Sequence, residues 1–232
     1  MAQNETILVL GATGASGLAF LDEALVHKNN PNLVLLVRTP SKLPAGIESN
    51  DRVRVIKGNL DNRAQLDDAM RGVTVVVSLV GGYFSLHGLL TRDSSTPIAD
   101  HFPLVFDAMR SANVKRIFAL STVAFKQPGD EAPMKWWFSH LMVWLMVPGP
   151  NAEMRAIGEQ VSSRDDLDWT VFRSPGLTDE PAGKELAVNG LLKRNWKGAS
   201  SWSLSRKSQA RWILDEIAER KWVKMTPVLV NI

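Results

Sequence analysis

The chain has 232 residues, of which 45% are hydrophobic and 22% are charged, and its formal net charge is +3. This length and composition predict one soluble α/β domain spanning residues 1–232. The positive charges are spread along the sequence rather than gathered in a run, so we expect no nucleic-acid binding. The absence of cysteine excludes disulfides, thiol catalysis and cysteine-held metals.

The first apolar segment predicts a buried strand from Thr6 to Leu10, which leads into a glycine-rich turn and then a helix over about residues 15–27. This run is too short for a secretory signal, so we expect a cytoplasmic protein. Gly11 permits the turn, Gly14 lets the backbone approach a pyrophosphate, and Gly17 lets the helix lie close to the sheet. The helix N-terminus offers free N–H groups to an anion. The predicted phosphate site comprises Gly11, Thr13, Gly14, Ala15, Ser16 and Gly17.

Strand-like and helix-like segments alternate after this motif. Apolar runs predict strands at 33–37, 53–56, 73–80, 116–121 and 169–172. Helical patterns lie between them, at 63–70, 99–112 and 152–163. This alternation predicts a doubly wound parallel sheet with helices on both faces, the Rossmann fold.

The pattern loosens after residue 175. A loop-rich stretch over 175–205 contains a predicted strand at about 186–192, and a helix over about 205–220 and a strand over 225–231 follow. Ligands of such sheets lie beyond the carboxyl ends of the strands. We therefore expect residues 175–232 to form part of a small substrate lobe over the cofactor.

The end of the second predicted strand carries no acid to bind the ribose 2′-hydroxyl of NAD. The guanidinium of Arg38 can instead donate two hydrogen bonds to a 2′-phosphate, and Ser41 and Lys42 can add a hydroxyl and a second cation. This favours NADP(H) over NAD(H), the alternative being a solvated basic turn. After the third strand, Asp61 either accepts a hydrogen bond from the adenine amino group or caps the following helix.

Six short motifs occur together: GATGASG at 11–17, VR at 37–38, GNLD at 58–61, VGG at 80–82, ALST at 119–122 and WTVFRSPG at 169–176. With them, residues 5–180 resemble the atypical short-chain dehydrogenase/reductases of the NmrA-like and biliverdin-reductase-B (flavin reductase) kind. The resemblance implies that Val80 and Gly81 lie along the adenosine ribose and pyrophosphate, and that Ser121 faces the nicotinamide. It also implies that Pro175 and Gly176 back the nicotinamide ring. Further cofactor contacts are expected at Asn59, Leu60 and Gly82.

The chain departs from ordinary short-chain dehydrogenases in its acid–base residues. Those enzymes use a Tyr-x-x-x-Lys pair, in which the lysine lowers the pKa of the tyrosine. The single tyrosine here, Tyr83, follows the fourth strand, and the helix at 152–163 has neither tyrosine nor lysine. Ser121 is therefore the first candidate for a donor to the substrate, with Tyr83, His87 and Glu159 as further catalytic candidates. No histidine–carboxylate spacing indicates a metal site.

Hydride transfer can proceed by positioning alone, with solvent or Ser121 supplying the proton. We therefore expect an NADP(H)-dependent reductase acting on a sizeable aromatic or conjugated acceptor. Two alternatives remain open. One is a non-redox isomerase or lyase on the same fold, and the other is an NmrA-like regulatory protein that senses a dinucleotide without catalysis.

The segment 133–148 contains three tryptophans and three methionines. It is too short to span a bilayer, so no stable membrane insertion is expected. It is read either as one wall of a pocket for an aromatic or polycyclic small molecule, or as a buried helix or homodimer face. A peripheral membrane contact is a third alternative.

Overall fold

The structure is a computed structural model that describes residues 5–81, 95–131, 148–183 and 185–232. Nearly all of the aromatic segment 133–148 lies outside these residues, so its role stays a prediction. No helix within the described ranges is long and apolar enough to cross a membrane.

Ten strands are described, and eight of them form one sheet. The strands are β1 (Thr6–Leu10), β2 (Asn32–Val37), β3 (Val53–Lys57), β4 (Val75–Ser78), β5 (Arg116–Thr122), β6 (Asp168–Ser174), β7 (Gly176–Thr178), β8 (Leu186–Asn189), β9 (Ser203–Ser205) and β10 (Val228–Asn231). The main sheet has the order β3-β2-β1-β4-β5-β6-β10-β8. Its neighbouring strands are parallel except for β8, which is antiparallel to β10. Strands β7 and β9 form a separate parallel pair.

Five helices are described, and they cover the main sheet on both faces. They are α1 (Ala15–Val26), α2 (Arg63–Ala69), α3 (Phe102–Ser111), α4 (Pro148–Ser162) and α5 (Arg206–Glu219). Short 3₁₀ helices lie at Pro40–Lys42, Ile47–Ser49 and Ala99–His101. Successive side chains of β1 point to opposite faces, so Ile7 packs in the core with α1 and α5, and Leu8 packs in the core with α2, α3 and α4. The predicted doubly wound sheet is thereby confirmed.

The C-terminal region is divided between the main sheet and a smaller unit. Strands β8 and β10 extend the main sheet, and α5 packs beside α1. Of the strands described in this region, β7 and β9 alone pair apart from the main sheet. The predicted strand over 225–231 is shorter than expected, because Met225 makes only an isolated bridge to Thr170 before β10 begins at Val228.

A buried arginine braces the loops around the end of β6. Arg173 is fully buried and forms an ion pair with Asp130, with Nη1 at 2.5 Å from one carboxylate oxygen. Its other hydrogen bonds go to the carbonyl oxygens of Thr226, Phe125 and Gly190. All three guanidinium nitrogens donate, so this side chain is saturated and holds three separate segments together.

At the amino end of the main sheet, two further arginines attach helices to the strands. Arg54 donates to carbonyl oxygens at the end of α2, including that of Ala69 at 3.3 Å. Arg116 is buried against Glu216, with 3.7 Å between its Nη2 and a carboxylate oxygen, and its guanidinium lies 3.9 Å from the centre of the Phe118 ring. Burial lowers the pKa of Arg116 to about 10. These contacts fix α2 and α5 to the sheet.

Candidate functional site

A cleft follows the carboxyl ends of the parallel strands, where the strand order reverses between β1 and β4. This reversal is the place at which open α/β sheets bind ligands. The cleft has two adjoining pockets, which share Gly11, Thr13 and Val80 in their linings. We call them the β2-side pocket, of about 280 Å³, and the β5-side pocket, of about 380 Å³.

The three glycines of the turn after β1 and the first turn of α1 do not have the same structural role. Gly11 has φ +87°, and a Cβ there would lie 2.9 Å from the Val80 nitrogen. A Cβ on Gly17 would collide with the Gly11 carbonyl and lie 2.6 Å from the Ala12 Cα. Both glycines are therefore required by the packing of the chain itself. At Gly14 the nearest described atom to a Cβ would be the Gly11 oxygen at 3.4 Å, so the glycine instead leaves space beside the cleft.

The start of α1 is suited to an anion. Gly14 is the N-cap residue and has no side chain to accept hydrogen bonds from the first turn, and that turn contains no acid. Ala15 and Ser16 line the β5-side pocket at this helix end. Exposed N–H groups and the helix dipole attract phosphate at such a position. The residues present therefore fit a dinucleotide phosphate, as the sequence predicts.

The β2-side pocket is bounded by several of the predicted cofactor residues. Arg38, which is exposed at the end of β2, lines this pocket together with Asn59 and Leu60. Lys42 is exposed on the neighbouring 3₁₀ helix and is not among the described lining residues. The structure thus brings one of the two predicted cations to the pocket.

The second predicted role of Asp61, capping α2, is wrong. Asn62 is the N-cap residue, and its side chain accepts a hydrogen bond from the Gln65 N–H at 3.2 Å. Asp61 is exposed and is not among the described lining residues of either pocket. Its contact with adenine stays a prediction.

One wall of the β2-side pocket was missed from the sequence. Pro97, Ile98 and His101 line it, and a buried carboxylate holds this segment in place. The carboxylate of Glu153, in α4, accepts hydrogen bonds from the backbone N–H groups of Ile98 and Ala99 at 3.3 and 2.6 Å. No local pattern could have revealed this contact, because the two segments are more than fifty residues apart.

Ser121 and Pro175, two of the predicted cofactor residues, line the β5-side pocket. Ser121 is fully buried, and its hydroxyl donates to the carbonyl oxygen of Met154 at 2.7 Å. The single hydroxyl proton is therefore already in use within the protein. Gly81 also lines the pocket, whereas Gly176 is not among the described lining residues and its N–H donates to the Trp202 carbonyl at 3.1 Å.

Glu159 does not reach the cleft. Its side chain is 60% exposed and forms an ion pair with Arg155 at 3.6 Å, one helical turn away. Met154 and Pro150 are the described residues of α4 that line the pocket, and Glu159 lies five positions beyond Met154. Because each residue turns the helix by about 100°, Glu159 points about 140° away from Met154. The remaining predicted site residues, Gly82, Tyr83 and His87, lie outside the described residues.

One charged residue of the β5-side pocket was also missed. Arg206, the first residue of α5, is the only charged side chain among the described residues that line this pocket. Its signal in the sequence was weak, since a basic residue at a helix start is common on protein surfaces. No group of three histidine, aspartate or glutamate residues in the described ranges is placed to hold a metal.

The strand order, the glycine-rich turn and the two-pocket cleft together define a dinucleotide-binding α/β protein. A family model agrees: the model described as NAD(P)H-binding matches residues 11–220. The chain therefore belongs to the NAD(P)H-binding family. Comparison with curated proteins gives no match to this sequence.

Solved structures show the same fold. A short-chain dehydrogenase/reductase from Veillonella parvula in complex with NADP has a TM-score of 0.73 and 19% identity, with 98% of this chain and 94% of that chain covered. An anaerobillin reductase from Escherichia coli O157:H7 has a TM-score of 0.72 and 16% identity, covering 97% of each chain. A putative epimerase from Bacteroides thetaiotaomicron has a TM-score of 0.72 and 18% identity, covering 99% of this chain and 98% of that chain.

Proposed function

We propose that this protein is an NADP(H)-dependent oxidoreductase that reduces an aromatic or conjugated small molecule without a Tyr-x-x-x-Lys pair. The proposal depends above all on the continuous cleft, which runs from Arg38 past the glycine-rich turn to Ser121 and Pro175. Two similar folds add support, since one was solved with NADP and another is named as a reductase. When bound, the reduced nicotinamide supplies hydride.

The residues of the chain would act by binding and positioning. The turn at Gly14 and the first turn of α1 would hold the diphosphate, and the walls at Ser121 and Pro175 would fix the reactive end. The acceptor gains a hydride from the cofactor and a proton from solvent, so it leaves with two more electrons and two more hydrogens. Solvent is the proposed proton source because the Ser121 hydroxyl already donates to Met154.

Proton transfer without net redox is less well supported. An isomerase or lyase needs a base close to the reacting carbon. The described lining of the β5-side pocket contains no aspartate, glutamate or histidine. Glu159, the acid that the sequence offered for this role, lies on the exposed side of α4.

The preference for NADP(H) would come from Arg38. Replacing it by glutamate, Arg38→Glu, should weaken NADPH binding about tenfold to a hundredfold more than NADH binding, because a charge-assisted contact with the 2′-phosphate becomes a repulsion. Fluorescence titration of both cofactors measures this ratio. Lys42→Glu is the matched control, since Lys42 is absent from the described lining and should change the ratio by less than about threefold.

Turnover is tested in the same samples. Absorbance at 340 nm, followed with flavin and quinone acceptors, should show acceptor-dependent oxidation of NADPH. Equal losses of NADPH and NADH affinity in Arg38→Glu would show that Arg38 does not bind the 2′-phosphate. Tight binding of NADPH with no oxidation by any acceptor would instead favour the dinucleotide-sensing alternative.

A further inference from the structure

Helices α1 and α5 run side by side in the same direction. Glu23 of α1 forms an ion pair with Arg211 of α5 at 2.5 Å, and Lys28, two residues beyond the end of α1, pairs with Asp215 of α5 at 2.9 Å. The later residue of the first segment thus pairs with the later residue of α5, as expected for two parallel helices. The N-termini of the two helices therefore lie at the same edge of the sheet, beside the cleft.

This arrangement brings Arg206 to the phosphate-binding turn. Arg206 begins α5, and it lines the β5-side pocket together with Ala15 and Ser16 from the first turn of α1. The rest of the described lining of this pocket is uncharged. Arg206 is thus the single described cation placed in the pocket where the start of α1 favours a negative group.

The guanidinium of Arg206 is not saturated by the protein. Its Nη1 is 2.6 Å from a carboxylate oxygen of Asp179, while its buried Nε makes no hydrogen bond to a described residue. The side chain is 20% exposed, whereas that of Asp179 is 84% exposed, so this ion pair is a weak anchor in solvent. Arg173, by contrast, uses all three guanidinium nitrogens in the protein.

We propose that Arg206 binds the diphosphate of the dinucleotide, at the phosphate on the nicotinamide side. The proposal rests on the proposed function, in that an NADP-type cofactor occupies the cleft. Arg38 lines the other pocket and would meet the 2′-phosphate, so the two arginines neutralise different anionic groups of one ligand. Asp179 holds the guanidinium at the edge of the pocket when no phosphate is present, and its exposed carboxylate can give way to the ligand.

The test compares two ligands that differ in the phosphate Arg206 would contact. NADP⁺ contains the whole diphosphate, whereas adenosine 2′,5′-bisphosphate carries the 2′-phosphate and only the adenosine-side 5′-phosphate. In Arg206→Gln, calorimetric titration should show NADP⁺ binding about tenfold weaker or more, as expected for a lost charge-assisted hydrogen bond. Binding of the bisphosphate should stay within about twofold of the unmodified protein.

Two control variants test whether a loss of NADP⁺ affinity comes from this contact, from the change in local charge or from damage to the fold. Lys207→Gln removes one positive charge from the neighbouring position, and NADP⁺ affinity should change by less than about twofold. Asp179→Asn breaks the ion pair but keeps the arginine, and NADP⁺ should bind as tightly as before or more tightly. A loss in Asp179→Asn equal to that in Arg206→Gln would show that the ion pair only braces the structure, and would overturn the proposal.

The affinities of the Arg206 variants for NADP⁺ and for the bisphosphate decide the proposal. Unchanged NADP⁺ affinity in Arg206→Gln, or an equal loss for both ligands, would overturn the proposal. Should Arg206→Gln fail to fold, judged by its circular dichroism spectrum, Arg206→Lys replaces it: the proposal expects weaker NADP⁺ binding with unchanged bisphosphate binding, and no change in NADP⁺ binding contradicts it. Binding of NADP⁺ without turnover of any acceptor would contradict the reductase activity alone and leave the Arg206 contact intact.

Discussion

The amino and carboxyl ends of the main sheet are built in opposite ways. At the amino end, Arg54 donates to the carbonyl oxygens that end α2, and Arg116 is buried against Glu216. At the carboxyl end, the glycine-rich turn leaves space at Gly14 and Arg38 is exposed beside a pocket. Charge at the first end is matched by protein partners, and space at the second end is left for a ligand.

This difference separates the residues that stabilise the fold from those that would bind. Arg173 marks the boundary: it lies near the carboxyl end, yet it is saturated and is not among the described lining residues of the cleft. Substitutions at the amino end should therefore change stability with little effect on binding, and substitutions of carboxyl-end residues that open onto the cleft, such as Gly14 and Arg38, should do the reverse.

Among the variants that should still fold, the largest effect is expected at the amino end, in Glu216→Ala. Removing this carboxylate leaves the buried Arg116 charge without its paired acid, which should lower the free energy of unfolding by about 3–5 kcal/mol. Urea denaturation measures this loss, and the folded fraction should bind NADP⁺ with unchanged affinity. Glu219→Ala is the control, since Glu219 is half exposed and forms a surface ion pair with Lys221 at 2.9 Å. A large loss of NADP⁺ affinity in Glu216→Ala would break the separation between the two ends.

The next effect in size is expected for Gly14→Val at the carboxyl end. This variant should lose free energy of binding rather than free energy of unfolding. The new side chain would fill the space beside the start of α1, and NADP⁺ affinity should fall roughly 100-fold, or about 2.7 kcal/mol. The thermal midpoint should move by only a few degrees, because little in the described chain opposes a Cβ at this position. Gly17→Val, whose Cβ would meet the backbone of Gly11 and Ala12, should instead unfold the protein. Normal NADP⁺ affinity in folded Gly14→Val would contradict the phosphate-site assignment.

Ser121→Ala should have the smallest effect. It tests both the stability of the fold and the role of Ser121 in turnover. Loss of the hydrogen bond to Met154 should cost about 1 kcal/mol of stability. If solvent supplies the proton, kcat with an active acceptor should change by less than about threefold. A fall of about 100-fold in kcat with unchanged NADP⁺ affinity would instead make Ser121 the proton donor, as the sequence first suggested.

The parts of the site that could be predicted are those that are continuous in the sequence. The strand, turn and helix around Gly11–Gly17 follow one another directly, so their spacing alone specifies a phosphate site. Arg38 was found for the same reason, because it directly follows a strand whose position is fixed by its apolar run.

The remaining parts depend on contacts between distant segments. Glu153 reaches Ala99 across the fold, and Arg206 reaches the turn at Ala15 only because α5 packs in parallel with α1. Glu159 was misplaced because the sequence identifies a helix more reliably than it identifies which side of that helix faces a ligand. Asp61 and Asn62 are both good N-cap residues, and only the backbone could choose between them.

Helix α4 lines the β5-side pocket and also supports the segment that forms one wall of the β2-side pocket. Two consecutive residues connect this helix to the two pockets: the side chain of Glu153 holds the segment at Ile98, and the carbonyl of Met154 receives the Ser121 hydroxyl. A displacement of this one helix therefore alters both compartments together. Thermodynamic reciprocity then links them: by whatever factor occupancy of one compartment changes affinity in the other, the reverse influence has the same factor.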